Sequence, residues 1–260
     1  MRIIVCIKQV TDTAEVKFDK ETHAMIREGV PSIINPFDEN AIEAGLQLKE
    51  EHGGEVIVLC MGAPHADEQL RQAVAMGVDQ AILLTDRRFA VADTLATAYS
   101  LSTAIRKIGD YDLLLFGKQA IDGDTAQVGP GVAEMLGLPQ ITYARKIKVE
   151  DGKVIAERVL EDSYEVLEAE LPALLTVVKE INEPRHSSLR GVLKAKKAEI
   201  PFWSPEDIDA DVTRIGKVGS PTEVIRTYNP EPRGGNEQLS GEPEEIAEAL
   251  FARLRKQNII

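Results

Sequence analysis

Four short apolar runs recur in the first half of the chain. Each is nearly continuous rather than alternating with polar residues, which is typical of strands covered on both faces of a parallel sheet. The runs are Ile3–Ile7, Val56–Cys60, Ala81–Leu84 and Leu113–Phe116. Stretches with helical periodicity separate them, so strands and helices alternate along the chain. We therefore expect an α/β fold with a doubly wound, mostly parallel sheet.

Capping residues mark where the predicted helices begin. Asn35 is placed as an N-cap before Pro36, with the acidic Asp38 in the first turn. A second helix is predicted over about 66–76 and a third from near Asp93.

The second half of the chain has a different pattern of apolar and polar residues. Asp151-Gly152 lies between two alternating runs, which predicts a hairpin and an antiparallel extension of the sheet. From residue 220 the chain is rich in proline and glycine and ends in an amphipathic helix over about 243–256. We predict an α/β domain over 1–219 and a C-terminal arm over 220–260 whose helix packs on another chain. Packing of that helix on its own domain is the alternative.

Charge and composition exclude several classes of function. The 260 residues carry 43 acidic against 30 basic side chains, a net charge of −13, which disfavours binding to nucleic acid and to anionic membranes. No apolar run approaches the roughly 20 residues that a membrane helix needs. No signal peptide is recognised, and the two cysteines, Cys6 and Cys60, lie in apolar runs as reduced core thiols, so a cytoplasmic protein is expected. The four histidines are scattered, and no metal site is predicted.

The segment 116–129 is the strongest candidate for binding chemistry. It leaves the carboxyl end of a predicted buried strand and enters a helical pattern, at the edge where open α/β sheets bind ligands. The small residues Gly123, Ala126 and Gly129 allow a ligand close to the backbone, and free N–H groups at a helix start favour phosphate. No Walker-type motif is present. The pattern favours a nucleotide site, with a capped strand-to-helix turn as the alternative.

Polar side chains of this segment have distinct expected roles. Thr125 is expected to cap the following helix or to bind a phosphate oxygen, and Gln119 and Gln127 offer donors and acceptors without charge. Asp122 and Asp124 would repel a phosphate, so we expect them to accept hydrogen bonds from backbone N–H groups or ligand hydroxyls.

This segment closely resembles the nucleotide-binding segment of electron transfer flavoprotein β subunits. Further segments match the same family in the same order, over about residues 1–200. They are Val5–Val10, Asn35–Asp38, Arg158–Asp162 continuing to Leu171–Thr176, and Asn182–Lys197. The chain is therefore similar to the smaller subunit of a heterodimeric electron transfer flavoprotein.

The resemblance implies an adenine-nucleotide-hydrolase-like fold and an α-subunit partner that carries FAD. Matching positions imply that four segments line the β-subunit nucleotide site: Cys6, Asn35, Pro36, Phe37, Asp38, Cys60, Met61, Lys118, Gln119, Asp122, Gly123, Asp124, Thr125, Ala126, Gln127, Val128 and Gly129. Within a partner-recognition loop over 182–197, Leu189, Lys194 and Lys197 are implied to dock an acyl-CoA dehydrogenase-like protein. No catalytic side chain is implied, because the flavin carries the redox step.

Two branches of the family differ in the nucleotide at this site. In one branch AMP is a structural ligand of a single-electron shuttle between an acyl-CoA dehydrogenase and a quinone reductase. In the other, FAD takes hydride from NADH and electrons go to ferredoxin or flavodoxin and, through the α-subunit FAD, to an acyl-CoA dehydrogenase-like partner. Gly123 and Ala126 resemble the bifurcating branch, because small residues leave room for a pyrophosphate. We expect FAD, with AMP as the alternative.

A stand-alone ATP-binding module of the universal-stress type is the alternative from another class of protein. Such a module would carry a Gly-rich phosphate motif with serine near its last strands, which this sequence lacks. Outside the nucleotide segment, Arg158 and Glu161 are predicted to form a structural ion pair, and Trp203 is expected to serve packing.

Overall fold

The computed structural model describes residues 1–12, 17–18, 25–26, 31–223, 225 and 238–260. Within these residues the chain forms thirteen β-strands and six α-helices. The strands are β1 Arg2–Ile7, β2 Gln9–Thr11, β3 Lys17–Phe18, β4 Met25–Ile26, β5 Ser32–Ile34, β6 Glu55–Met61, β7 Gln80–Leu84, β8 Leu113–Gly117, β9 Gln140–Glu150, β10 Lys153–Val159, β11 Tyr164–Glu170, β12 Ala173–Val177 and β13 Phe202–Trp203. The helices are α1 Pro36–His52, α2 Asp67–Met76, α3 Thr94–Ile108, α4 Val128–Leu136, α5 Leu189–Lys197 and α6 Pro243–Lys256.

One nine-stranded sheet organises the domain. Its strand order is β11-β10-β9-β12-β8-β1-β6-β7-β13. In this spatial order, all neighbouring strands from β9 through β12, β8, β1, β6 and β7 to β13 are parallel. The four apolar runs of the sequence are the adjacent central strands β8, β1, β6 and β7. Strands β9, β10 and β11 pair antiparallel and form the extension. The predicted α/β fold with a mostly parallel sheet is confirmed.

Helices cover both faces of the sheet and create two cores. Along β1, Ile3 and Val5 point into the core beneath α1 and α2, whereas Ile4 and Cys6 point into the core beneath α3 and α4. This alternation buries both faces of the strand, which explains its continuous apolar run. Cys60 lies in the first core, on the opposite face from Cys6. Both thiols are buried and free, and burial raises the pKa of Cys60 to about 12, so it stays protonated.

The hairpin of the extension has the predicted turn. Asp151 and Gly152 adopt φ of 50° and 75° between β9 and β10, as a tight two-residue turn requires. The prediction that Arg158 pairs with Glu161 is wrong. Arg158 lies opposite Glu165 across β10 and β11, with Nη1 and Oε2 3.7 Å apart, because antiparallel register brings these two side chains together.

The C-terminal helix is found where the sequence placed it. Most of the proline- and glycine-rich stretch before it, residues 224 and 226–237, lies outside the described residues. None of the residues of α6 is buried. Among the described residues, no helix is long and apolar enough to cross a membrane.

Candidate nucleotide-binding site

The predicted nucleotide segments meet at the carboxyl edge of the sheet. Strand β8 ends at Gly117, a loop follows over 118–127, and α4 begins at Val128. Because β1 pairs with both β8 and β6, the ends of these strands, at Ile7 and Met61, lie beside this loop. The start of α1 reaches the same edge through the contacts described next.

The side chain of Asn35 holds the loop in place. Its Nδ2 donates to the carbonyl oxygen of Gln119 at 2.8 Å, and its Oδ1 accepts from the backbone N–H of Ile121 at 3.1 Å. Asn35 is fully buried and occupies the N-cap position of α1, yet makes no side-chain capping bond. The prediction that the Asn35 side chain caps α1 is wrong, because both its Nδ2 and its Oδ1 are hydrogen-bonded to the loop backbone.

Asp38 joins the ends of two strands. Its Oδ2 accepts from the backbone N–H of Lys8, after β1, at 2.7 Å, and its Oδ1 accepts from Gly117, at the end of β8, at 3.1 Å. Burial raises the pKa of Asp38 to about 7, although hydrogen bonds, including those from Lys8 and Gly117, oppose the increase. A carboxyl group that titrates near neutral pH therefore lies beneath the site.

The loop acids bind side chains rather than backbone. Asp122 pairs with Lys8, with Nζ and Oδ1 2.6 Å apart, and Asp124 accepts a hydrogen bond from the side-chain amide of Gln119. For both aspartates we had expected hydrogen bonds from backbone N–H groups or from ligand hydroxyls instead. Lys8 was not among the predicted site residues. It directly follows β1, which pairs with β8, so its side chain reaches Asp122 in the loop after β8.

Backbone conformation keeps part of the loop accessible. Asp124 and Ala126 adopt left-handed φ of 53° and 54°, which is uncommon outside glycine. A Cβ added at Gly123 would meet nothing within 4 Å, so this residue leaves free surface over the loop. Gly129 serves packing instead, because a Cβ there would lie 2.7 Å from Cγ2 of Thr176.

The start of α4 lacks a side-chain cap. Gln127, not Thr125, occupies the N-cap position and makes no capping bond, so the predicted capping role of Thr125 is wrong. The side-chain Oε1 of Gln127 instead accepts from Oγ1 of Thr94 at 2.9 Å, which ties the loop to the start of α3. Sequence analysis missed Thr94, although its position after the N-cap Asp93 places it at the same edge.

Two lysines at this edge lie over aromatic rings. Lys118 lies 5.2 Å from the ring centre of Tyr143, and Lys179 lies 5.1 Å from that of Phe37. In the described part of the chain, neither ammonium group has a carboxylate within ion-pair distance. A chain with a net charge of −13 thus keeps free positive charge where an anionic ligand would bind.

The predicted partner-recognition loop is anchored on the domain. Arg185 pairs with Glu43 and Glu50 of α1. Leu189, the first residue of α5, is 80% exposed. Lys194 donates to the carbonyl oxygen of Val78 at 2.9 Å.

The basic end of α5 also carries Lys197, which is exposed, as is Lys194. The described residues contain no group of three or more His, Cys, Asp or Glu side chains that could hold a metal ion.

Comparison with known proteins identifies the family. The electron transfer flavoprotein domain model matches residues 22–208. The chain is 51% identical to the caffeyl-CoA reductase-Etf complex subunit CarD of Acetobacterium woodii, over the full length of both proteins. It is 49% identical to the electron transfer flavoprotein subunit beta of Thermoanaerobacterium thermosaccharolyticum, again over the full length of both. It is 47% identical to the protein FixA of Azorhizobium caulinodans, over 99% of this chain and 95% of that protein. These matches show that the chain belongs to the electron transfer flavoprotein family, as a β subunit.

Proposed function

We propose that this chain is the β subunit of an electron-bifurcating electron transfer flavoprotein. Its site at the carboxyl edge holds FAD, with NADH as the hydride donor. The electron acceptors are ferredoxin or flavodoxin and, through the FAD of the α subunit, an acyl-CoA dehydrogenase-like partner. Bound FAD supplies the change from two-electron to one-electron chemistry, and the chain supplies binding and orientation.

The observation that carries this proposal is the open loop before α4, with the ammonium group of Lys118 at its start. The uncapped helix start offers N–H groups to a phosphate, and Gly123 leaves the loop surface free. Lys118 adds a positive charge that no carboxylate of the described residues neutralises. A pyrophosphate-containing nucleotide fits this combination better than a neutral ligand does.

Residues around the loop have positioning roles in this proposal. The amide of Asn35 binds the loop backbone, and the carboxyl group of Asp38 binds the backbone at the ends of two strands. In this proposal both side chains therefore position the site and do not contact the ligand. Thr125 keeps its hydroxyl available for a phosphate oxygen, since it does not cap α4.

Partner surfaces are proposed at two further places. Helix α6 exposes Leu250 and Phe251 and has no buried residue, so the 220–260 arm docks through it on the α subunit. Leu189 is the apolar anchor for the acyl-CoA dehydrogenase-like protein, with Lys197 steering an acidic partner surface. The name of the relative CarD, a caffeyl-CoA reductase-Etf complex subunit, supports a partner that acts on acyl-CoA.

Nucleotide content tests the proposal directly. The chain is co-expressed with its α subunit, the purified heterodimer is denatured, and released FAD and AMP are quantified by chromatography. About two FAD per heterodimer with little AMP supports the bifurcating function, and NADH oxidation is then assayed. One FAD with one AMP assigns the chain to the single-electron shuttle instead. A β subunit without any adenine nucleotide would overturn the assignment of the loop.

A further inference from the structure

The segment that leads into α5 is held in place by side chains of the domain. Residues 182–188 adopt neither helix nor strand. In the described part of the chain, no backbone–backbone hydrogen bond involves residues 183–187. Because backbone hydrogen bonds do not restrict this segment, its order depends on the side chains that it contacts. Those side chains lie on α1, and they fix the place where α5 begins.

Arg185 ties the segment to α1 through two carboxylates. Its Nε lies 2.7 Å from Oε2 of Glu43 and its Nη2 lies 3.0 Å from Oε1, so this pair is bidentate. The backbone N–H of Arg185 donates to the same carboxylate at 3.2 Å, and Nη2 also donates to Glu50 at 3.1 Å. The side chain of Glu43 is only 5% exposed. A planar guanidinium has donors for both carboxylates at once, which the single ammonium of a lysine does not.

A reciprocal pair of amides extends this anchor. Nδ2 of Asn40 donates to the carbonyl oxygen of Asn182 at 2.8 Å, and Nδ2 of Asn182 donates to that of Asn40 at 3.0 Å. Asn40 is buried, as Glu43 is. Asn40, Glu43 and Glu50 are spaced by three and seven residues along α1, which places them on one face of the helix. This face therefore binds the segment at Asn182 and again at Arg185.

Helix α5 is fixed on its other side by α2. A Cβ added at Gly191 would lie 2.1 Å from the carbonyl oxygen of Ala75, so the two helices are in backbone contact there. Nη1 of Arg71 donates to two carbonyl oxygens at the end of α5, at 2.7 and 3.1 Å. Leu189 begins the helix between these two anchors, four residues after Arg185. Its side chain is thus exposed on a backbone that is already ordered.

We propose that Arg185, through its ion pair with Glu43, positions Leu189 for insertion into an apolar pocket of the acyl-CoA dehydrogenase-like partner. The inference rests on the proposed function, in which Leu189 is the docking anchor. An anchor that is already in place avoids the loss of conformational freedom that binding would otherwise require. Without the ion pair, residues 182–188 have to be ordered when the partner binds. The complex then forms less tightly, while the electron-transfer step within it is unchanged.

Steady-state kinetics of the intact heterodimer separate positioning from chemistry. The partner probe is butyryl-CoA dehydrogenase with butyryl-CoA as the electron donor, and reduction of the flavin in the heterodimer is followed by absorbance. In Arg185→Gln, KM for the heterodimer should rise about tenfold, whereas kcat should stay within about twofold. Leu189→Ala should raise KM by a similar factor. In the combined variant the loss of Arg185 should add little, because no anchor is left to position.

Two further variants distinguish positioning from general destabilisation. Glu43→Gln removes the ion pair without leaving a buried charge unpaired, so it should raise KM as Arg185→Gln does while the heterodimer stays folded. Arg88→Gln is the matched control, because this guanidinium also bridges two carboxylates, those of Asp86 and Glu206. Arg88 follows β7 and lies outside the segment 182–197 and its anchors on α1 and α2, so this variant should leave KM unchanged.

The outcomes separate this inference from the proposed function. A raised KM in Leu189→Ala together with wild-type values in Arg185→Gln and Glu43→Gln would overturn the inference and leave the proposed function intact. A combined variant whose KM rises by the product of the two single effects, about a hundredfold, would also overturn it, since Arg185 would then act independently of Leu189. A wild-type KM in Leu189→Ala, or a wild-type heterodimer that accepts no electrons from the dehydrogenase, contradicts the proposed docking itself and the inference with it.

Discussion

The Oδ1 atom of Asp38 lies where a side chain on Gly117 would begin. A Cβ added to Gly117 would stand 2.3 Å from this oxygen, and the oxygen accepts the backbone N–H of the same glycine at 3.1 Å. The contact joins the start of α1 to the end of β8, the strand that leads into the nucleotide loop. Glycine is required here because of close approach, not because of its backbone angles.

Replacing Gly117 with alanine should destabilise the protein by about 1–3 kcal/mol, because the new methyl group overlaps Asp38 and Phe37. Thermal unfolding of the heterodimer measures the change. Gly123→Ala is the control, since a Cβ there meets nothing within 4 Å, and its effect should stay within about 0.5 kcal/mol. Equal unfolding midpoints for the two variants would show that the Asp38 contact imposes no steric constraint.

Asp38 should make stability depend on pH. Burial raises its folded-state pKa from 3.8 to about 7, so the folded protein binds the proton more tightly than the unfolded chain does. Its stabilising contribution is fully present below about pH 4 and is lost as the pH rises through about 7. Between pH 5 and pH 8, the unfolding midpoint of the wild type should therefore fall relative to that of Asp38→Asn. A constant difference between the two proteins across this range would contradict the raised pKa.

Removing the Asn35 amide should release the nucleotide. Asn35→Ala leaves the carbonyl oxygen of Gln119 and the N–H of Ile121 without their partner, at a cost of about 1–3 kcal/mol in loop stability. Nucleotide affinity of the heterodimer should fall about tenfold or more. Asn40→Ala is the control: this buried amide of α1 binds Lys179 and Asn182 instead.

The Asn40→Ala variant should lose stability and keep its nucleotide. Equal nucleotide loss in the two variants would mean that α1 as a whole, rather than the Asn35 amide, holds the loop.

Leu189→Ala should weaken docking without affecting the fold. The side chain is 80% exposed, so its removal should change the free energy of unfolding by less than about 0.5 kcal/mol. If it is the anchor for the acyl-CoA dehydrogenase-like partner, kcat/KM for electron transfer with that partner should fall about tenfold. Val166→Ala, at a comparably exposed residue, should leave this rate constant unchanged. An unaltered rate in Leu189→Ala places the docking anchor elsewhere.

Local patterns in the sequence predicted the elements well. The continuous apolar runs became the central strands, Asp93 caps α3, and Asp151-Gly152 makes the hairpin turn. These features succeed because burial on two faces, capping and turn formation depend on residues close together in the chain. Where the sequence failed, a local role competed with a distant partner. Asn35 could cap its own helix but binds a loop 84 residues away in sequence.

The sequence by itself thus determined the α/β class, the position of the loop at the carboxyl edge and, by resemblance, the family. Only the tertiary structure decided which side chains meet there. Lys8 pairs with Asp122 across 114 residues, and the amide of Asn35 binds the carbonyl oxygen of Gln119 across 84. Strand order brings these residues together, and strand order follows from the packing of the whole sheet rather than from any local pattern.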